Sequence, residues 1–422
     1  MTPPTDSDPP LPAQAGCAVT RLTLTGFRNY TRLRLDVPPG SVVLTGPNGA
    51  GKTNLLEALS LLGPGRGLRG AALADFPHRA IARGPLGDED LGDLDGEDEG
   101  GGSGVPWGVS ATLLGPDGLP VDLATGVEAA GSRRQARIDA RPVRGLAALS
   151  EHMPLVWLTP DMERLFHEGA SGRRRFLDRL VLALDPEHAG RSAAYAHAMR
   201  ERGRLLRDGL REDAWFAALE DSMARHGTAL AAARREVAER LTQDLADHGG
   251  LGLAEDGSSR EVADQPLFPR AALTVTGDLE DRLGSGPALA AEEWMRAALA
   301  EGRRDDGRTG SACVGPHRAD IQVRHLPRNI GVEYASTGER KAVLIALLLS
   351  LARVMTRVRG RPPVVLLDEV AAHLDPERRR ALAHVLKALR TQVWATGTDL
   401  QAFDSWEGFA LFLRLEDGAV VG

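Results

Sequence analysis

The sequence predicts an α/β fold: a mixed sheet carrying a phosphate loop, an antiparallel β meander beside it, and an inserted all-helical arm. Three observations lead there. Val42–Asn54 reads VVLTGPNGAGKTN, a phosphate loop set between an apolar run and a helical pattern. Pro363–Leu367 (PVVLL) is a second continuous apolar run, and it ends in Asp368-Glu369. Between the two lies a domain-sized stretch of roughly 140 residues, rich in Ala, Leu, Arg and Glu and poor in helix breakers.

The phosphate loop carries the most specific chemistry. Gly46-Pro47-Asn48-Gly49-Ala50-Gly51-Lys52-Thr53-Asn54 contains the full G-x-x-x-x-G-K-[ST] spacing. A phosphate needs backbone N–H groups pointing inward around a tight turn, and glycines leave that approach open. The helix behind the loop turns its positive end to the same phosphates. Lys52 supplies a point charge for the β- and γ-phosphates, and the Thr53 hydroxyl suits Mg²⁺. The chain therefore reads as a binder of a nucleoside triphosphate with Mg²⁺.

Taken in order, Met1–Gly16 is Pro-rich, acidic and without an apolar segment, so it reads as a disordered tail and not as a signal peptide. Ala18–Leu24 and Leu33–Val37 alternate as strands around the turn Gly26–Tyr30. Ser41–Thr45 is a buried strand and Thr53–Leu62 a helix. Asp88–Glu99 holds eight acids in a low-complexity run and predicts a disordered loop over 87–104. That run accounts for the formal net charge of −7, and the rest of the chain is close to balanced. Gly108–Leu114, Pro120–Thr125 and Gln135–Ile138 read as the meander, and Leu155–Leu158 as a further buried strand.

Arg173–Leu184, Ala189–Arg211 and Asp213–His248 read as helices, Gly249–Pro269 as a loop, and a last arm helix ends at Gly302. Strand character returns at Cys313–Val323. Ala335–Lys341 opens an apolar helix through Val354, and a helix spans Pro376–Arg390. The strand Val393–Thr396 follows, with edge strands at Phe409–Leu415 and Ala419–Val421. The expected domains are a tail over 1–16, a head whose halves are 17–161 and 310–422, and a helical insertion over 162–309.

Composition narrows the class. Val343–Ala352 is the longest apolar run and is too short for a membrane span. Cys17 and Cys313 form no metal or disulfide pattern, which fits a reducing compartment, so a cytoplasmic location is expected. Nearly all the positive charge is arginine, the lysines being Lys52, Lys341 and Lys387.

Asp368, at a strand end, is placed to hold Mg²⁺, and Glu369 beside it to polarise the attacking water. Ser336-Thr337-Gly338-Glu339-Arg340 resembles the signature motif of the ABC-type ATPases, and the fold it implies is an ABC-type ATPase head. A serine and a glycine at a helix start offer N–H donors to a γ-phosphate. The resemblance implies a homodimer that sandwiches two ATP molecules, Ser336 and Gly338 reaching the partner's nucleotide. His373-Leu374-Asp375 looks like the loop that crosses that seam.

Together with Gly26–Tyr30 (GFRNY), Arg173–Asp178 (RRRFLD) and Gly315–Asp320 (GPHRAD), these motifs resemble the RecF family, related to SMC-type heads. The resemblance runs from about Ala18 to the chain end. It implies a weak ATPase of recombinational DNA repair that dimerises on ATP. It also implies binding to duplex DNA or gapped duplex, and loading of a recombinase with RecO and RecR. Candidate DNA contacts are Arg66 and Arg69 near the nucleotide, and Arg173, Arg174, Arg175 and Arg179 at the start of the arm. Two departures stand out. No glutamine follows Leu155–Leu158, where Asp161 is the nearest polar candidate, and no histidine follows Val393–Thr396, where Thr396 or Thr398 is offered instead. A membrane transporter's nucleotide-binding subunit shares the motifs but rarely carries such an arm. An SMC-like chromosome protein needs a sustained heptad repeat, which is missing.

Overall fold

The computed structural model describes residues 16–63, 65–78, 105–115, 117–128, 131, 133–209, 212–249, 251–253, 259–261, 267–371 and 374–421. The acidic run Asp88–Glu99 and almost all of the N-terminal tail lie outside these residues, as does His373.

The chain separates into two compact units, 1–160 with 253–259 and 355–422, and 161–252 with 260–354. The 310–422 stretch expected as the second half of the head is thereby shared between them.

The first unit holds two six-stranded sheets. One is the meander: Ala18–Phe27 (β1), Tyr30–Asp36 (β2), Trp107–Leu114 (β4), Pro120–Val127 (β5), Gln135–Ile138 (β6) and Arg141–Val143 (β7). Its order is β2-β1-β4-β5-β6-β7, antiparallel throughout. Alternation drives it: Leu22, Leu24, Val109, Ala111, Leu113 and Leu123 point inward and are buried, and Thr23, Ser110 and Arg137 point out. The second sheet is built on Ser41–Thr45 (β3), with Leu155–Leu158 (β8), Val364–Leu367 (β14), Val393–Gly397 (β15), Ala410–Glu416 (β16) and Ala419–Val420 (β17). Its order is β17-β16-β3-β15-β14-β8. All its pairings are parallel except β16 with β17.

The strands β3, β14 and β15 are buried along their whole length; β14 is unbroken apolar sequence, and β3 and β15 are mainly apolar but also bury Ser41, Thr45 and Thr396. Each fully buried Val or Leu contributes roughly 1.5–3 kcal/mol. The strand expected at Phe409–Leu415 is not an edge: β16 pairs in parallel with β3, and β17 takes the edge. Gln392, just before β15, is buried, and its amide knits strands of both sheets. It accepts from Val19 N and donates to Val19 O and Gly40 O, all within 2.8–2.9 Å.

The second unit carries the expected arm helices, observed at Ala170–Leu184, His188–Arg207, Asp213–His248, Asp278–Ser285 and Ala288–Thr309. It also contains strands the composition did not reveal. Within the expected loop Leu251–Leu253 (β9) pairs with Ser259–Glu261 (β10), Leu253 and Ser259 being counted with the first unit. Ala271–Thr276 (β11) pairs antiparallel with Asp320–His325 (β12), which in turn pairs with Ile330–Gly331 (β13). Buried arginine networks tie the helices together. Arg202 donates to Glu220 at 3.0 Å, Asp306 at 2.8 Å and Leu299 O at 2.6 Å, and Glu220 also takes Arg303 at 2.6 Å. The helix Thr337–Arg359 starts in this unit. Among the described residues no helix is long and apolar enough to cross a membrane.

Candidate nucleotide-binding site

The site is built where β3, β14 and β15 end together. β3 leads into the loop Gly46–Gly51 and the helix Lys52–Leu61. Gly46 has φ +139°, and a Cβ there would lie 2.1 Å from the Leu415 carbonyl oxygen of β16. Gly51 has φ +100°, and its Cβ would meet the Tyr30 hydroxyl at 2.4 Å. Only glycine fits either position. Gly51 is the N-cap of the helix and has no side chain to cap it, so the first N–H groups point into the loop without a side-chain acceptor.

The Lys52 ammonium is buried and donates to the carbonyls of Gly46 at 2.7 Å and Pro47 at 2.8 Å. Burial pulls its pKa below the ordinary lysine value, and the nearby Glu369 and Asp368 carboxylates push it back up. Thr53 Oγ1 donates to Asp368 Oδ1 at 2.9 Å, which joins the loop helix to the end of β14. Asp368 Oδ1 also accepts from Thr396 Oγ1 of β15 at 2.8 Å. The same Thr396 oxygen accepts the Glu369 N–H at 2.9 Å. Glu369 itself has φ +50°, the left-handed region. These groups fit a magnesium nucleotide: an uncapped helix start and a buried ammonium for the phosphates, and a hydroxyl beside a carboxylate for the cation.

A turn absent from the expected site residues braces this loop. Between β1 and β2, Arg28 takes φ +54°, and the three residues Arg28, Asn29 and Tyr30 each reach the loop or its helix. Tyr30 Oη donates to Gly51 O at 3.1 Å, and Asn29 Oδ1 accepts from Asn54 Nδ2 at 2.7 Å. Arg28 donates twice, at 2.8 Å each, to Glu57, whose side chain is fully buried. Arg69 is also held here, on Asn54 Oδ1 at 2.9 Å, whereas Arg66 is exposed. The only sequence signal for this brace was the GFRNY string itself.

Residues 41–402 match the protein family described as "AAA domain, putative AbiEii toxin, Type IV TA system". The DNA replication and repair protein RecF of Mesorhizobium japonicum is 46% identical over 413 residues, covering 97% of this chain and 98% of that protein. The chain belongs to the RecF family. The Rhizobium meliloti relative of the same name is 42% identical, covering 96% of this chain and 98% of its own. Two solved structures of the recombination mediator protein RecF of the RecFOR pathway share the fold. The one described as RecF-ATPrS has a TM-score of 0.77 at 20% identity, covering 97% of this chain and 98% of the other. The one described as RecF-ATP has a TM-score of 0.74 at 20% identity, covering 96% and 99%.

The other motifs that first suggested RecF lie in the second unit. Ser336 and Glu339 form a reciprocal capping box at the start of Thr337–Arg359. The Ser336 N–H and hydroxyl donate to Glu339 Oε2 at 2.9 and 2.8 Å, and Glu339 N donates back to Ser336 Oγ at 3.4 Å. Arg328 pairs with the other Glu339 oxygen at 2.8 Å. Thr337 accepts from Arg340 at 3.1 Å, and Gly338 lies in the first turn. In the first unit, Asp375 caps Pro376–Ala388, accepting from Arg378 N at 2.8 Å. Asp161 is exposed in the 3₁₀ turn Pro160–Phe166.

RRRFLD and GPHRAD pack against each other. Arg173 makes a two-pronged contact with Asp320 at 2.8 and 2.7 Å, and Arg174 donates to Ala319 O at 2.8 Å. Arg179 stacks over Phe176 at 5.2 Å. Arg173 and Arg174, two of the candidate DNA contacts, are thus committed to internal partners, and Arg175 is the member of the triplet that is exposed.

Proposed function

We propose that this chain is an ATP-dependent DNA-binding protein of recombinational repair. In this reading it dimerises on ATP and binds duplex DNA or duplex/single-strand junctions at gaps. It helps load the recombinase with RecO and RecR, and slow hydrolysis resets it. The observation that carries the reading is the Thr53–Asp368–Thr396 junction, which joins the phosphate loop to the two neighbouring strand ends. Relatives named for DNA replication and repair, and a solved RecF-ATP structure of the same fold, support it.

Lys52 would hold the β- and γ-phosphates, exchanging its two loop carbonyls for phosphate oxygens. Thr53 and Asp368 would hold Mg²⁺, which when bound offsets phosphate charge and orients the γ-phosphoryl group. Glu369 would take a proton from the attacking water. Ser336 and Gly338 would offer their N–H groups to the nucleotide of a second copy, and Asp375 would stand near that seam. DNA contact is assigned to Arg66 and Arg175, with Arg69 near the nucleotide.

The test is anisotropy of a labelled gapped duplex titrated in Mg²⁺–ATP and in Mg²⁺–ADP, with light scattering of Glu369→Gln alongside. Tighter binding in ATP and a doubled mass for Glu369→Gln with ATP are expected. Equal affinity in both nucleotides, or a variant that stays monomeric, would defeat the clamp.

A further inference from the structure

We propose that Thr396 is a positioning residue for nucleotide hydrolysis: its hydroxyl locks the Asp368 carboxylate to the backbone of Glu369. The proposal rests on the reading of Asp368 as metal ligand and Glu369 as base.

Thr396 is fully buried on β15, opposite the end of β14, because Leu367 pairs with Ala395 and the next step brings Asp368 beside Thr396. A buried hydroxyl must use its bonding capacity. This one donates to Asp368 Oδ1 at 2.8 Å and accepts from Glu369 N at 2.9 Å. It thus fixes two consecutive residues that are assigned different tasks. The rest of the strand, Val393, Trp394, Ala395 and Gly397, has no other side-chain hydroxyl. Valine has the shape of threonine and the strand propensity, so packing alone does not call for the oxygen. Thr398 is exposed, and of the two threonines offered in place of the missing histidine Thr396 is the one bonded to the acid pair.

Two features make the lock more than a core hydrogen bond. Glu369 stands at φ +50°, a conformation that a non-glycine residue holds only when its surroundings impose it. The bond from Glu369 N to Thr396 supplies such a constraint. Asp368 Oδ1 also receives Thr53 Oγ1, and in the proposed function that hydroxyl turns to the cation. Among the described residues the Thr396 bond is the one that remains to orient the carboxylate when Thr53 leaves it.

The experiment compares Thr396→Val, Thr396→Ser and Glu369→Gln in the full chain. Steady-state hydrolysis is read with hydrogen exchange of the nucleotide-free protein over Leu367–Ala371. Thr396→Val is expected to lose roughly 10- to 100-fold in kcat, the size that about 1 Å of misplacement produces, with little change in KM. Exchange at Leu367–Ala371 should quicken in Thr396→Val. Thr396→Ser should restore both. If the valine variant does not fold, Thr396→Ala against Thr396→Ser carries the same comparison. Parental kcat and exchange in Thr396→Val, or equal losses in valine and serine variants, overturn the proposal while Glu369→Gln stays inactive. Full turnover in Glu369→Gln overturns the reading beneath it.

Discussion

Arg234 lays its guanidinium against Asp178 fork to fork, at 2.7 and 2.8 Å, from a helix 56 positions further along the chain. Its third nitrogen donates to Pro316 O at 2.6 Å, so one side chain joins the RRRFLD helix, the long arm helix and the GPHRAD loop. Burial works to raise the Asp178 carboxyl, but hydrogen bonds from His188 and Arg234 outweigh it and hold it down at about 2. Its folded value lies below the unfolded one of about 3.9, so the stability it gives is complete above that pH. It disappears as pH falls through about 2, a contribution of roughly 2 kcal/mol. Urea titrations at pH 6 and pH 2.5 should show this loss in the parent chain. Asp178→Asn should cost roughly 3–5 kcal/mol at pH 6, because Arg234 is left buried without its charged partner, keeping the Pro316 carbonyl.

Arg28 and Glu57 allow a cleaner separation of charge from packing. Glu57 is fully buried and its two oxygens meet Arg28, with Arg69 at 3.4 Å as the other cation. Arg28→Ala should destabilise the first unit by roughly 3–5 kcal/mol. Arg28→Ala combined with Glu57→Leu should recover much of it, since no carboxylate is then stranded. A double variant as unstable as the single one would show that Arg28 acts through its packing over the Phe76 ring, 5.1 Å away.

Lys52→Ala removes a cation that spends its hydrogen bonds on Gly46 O and Pro47 O. The folded state should survive, because desolvation of that ammonium is itself unfavourable. Nucleotide affinity should fall by at least about tenfold, or 1.4 kcal/mol. Titration with a fluorescent ATP analogue measures it, and undiminished affinity would contradict the phosphate-loop role.

The arginines separate into two kinds. Arg66→Ala and Arg175→Ala alter exposed side chains, and each should reduce the slope of log affinity against log salt by about 1. Arg173→Ala should instead lower stability by roughly 1.5–3 kcal/mol, because Asp320 loses a charged two-pronged donor. A changed salt slope at unchanged stability in Arg173→Ala would reverse this division.

Local chemistry made much of this legible in advance. Leu155–Leu158 announces itself by unbroken apolar sequence, Ser41–Thr45 by its short β-branched run, and the glycines of the phosphate loop by spacing. Pairing partners were harder to read. Phe409–Leu415 looks like an edge strand until β3 is placed beside it, and Ala271–Thr276, just past the expected loop, is a short run that shows itself as a strand only once β12 pairs with it. Arg173 and Arg174 read as a basic patch because nothing near them in sequence marks Asp320 and Ala319 as their partners. Thr396 stood as one of two substitutes for a histidine, and only the register of β14 with β15 shows it bridging the acid pair.

The strand order β16-β3-β15-β14 also dictates when the molecule can work during its own synthesis. Ser41 Oγ accepts from Val393 N, 352 positions later, so the phosphate-loop strand must wait for its neighbours. At about 5–20 residues per second that wait lasts roughly 20–70 s on a ribosome. The stretch between, including the arm helices and their arginine network, emerges whole and can pack meanwhile. A chain cut short before β15 lacks Val393 and Thr396, the partners of Ser41 and Asp368, and should be unable to hold ATP.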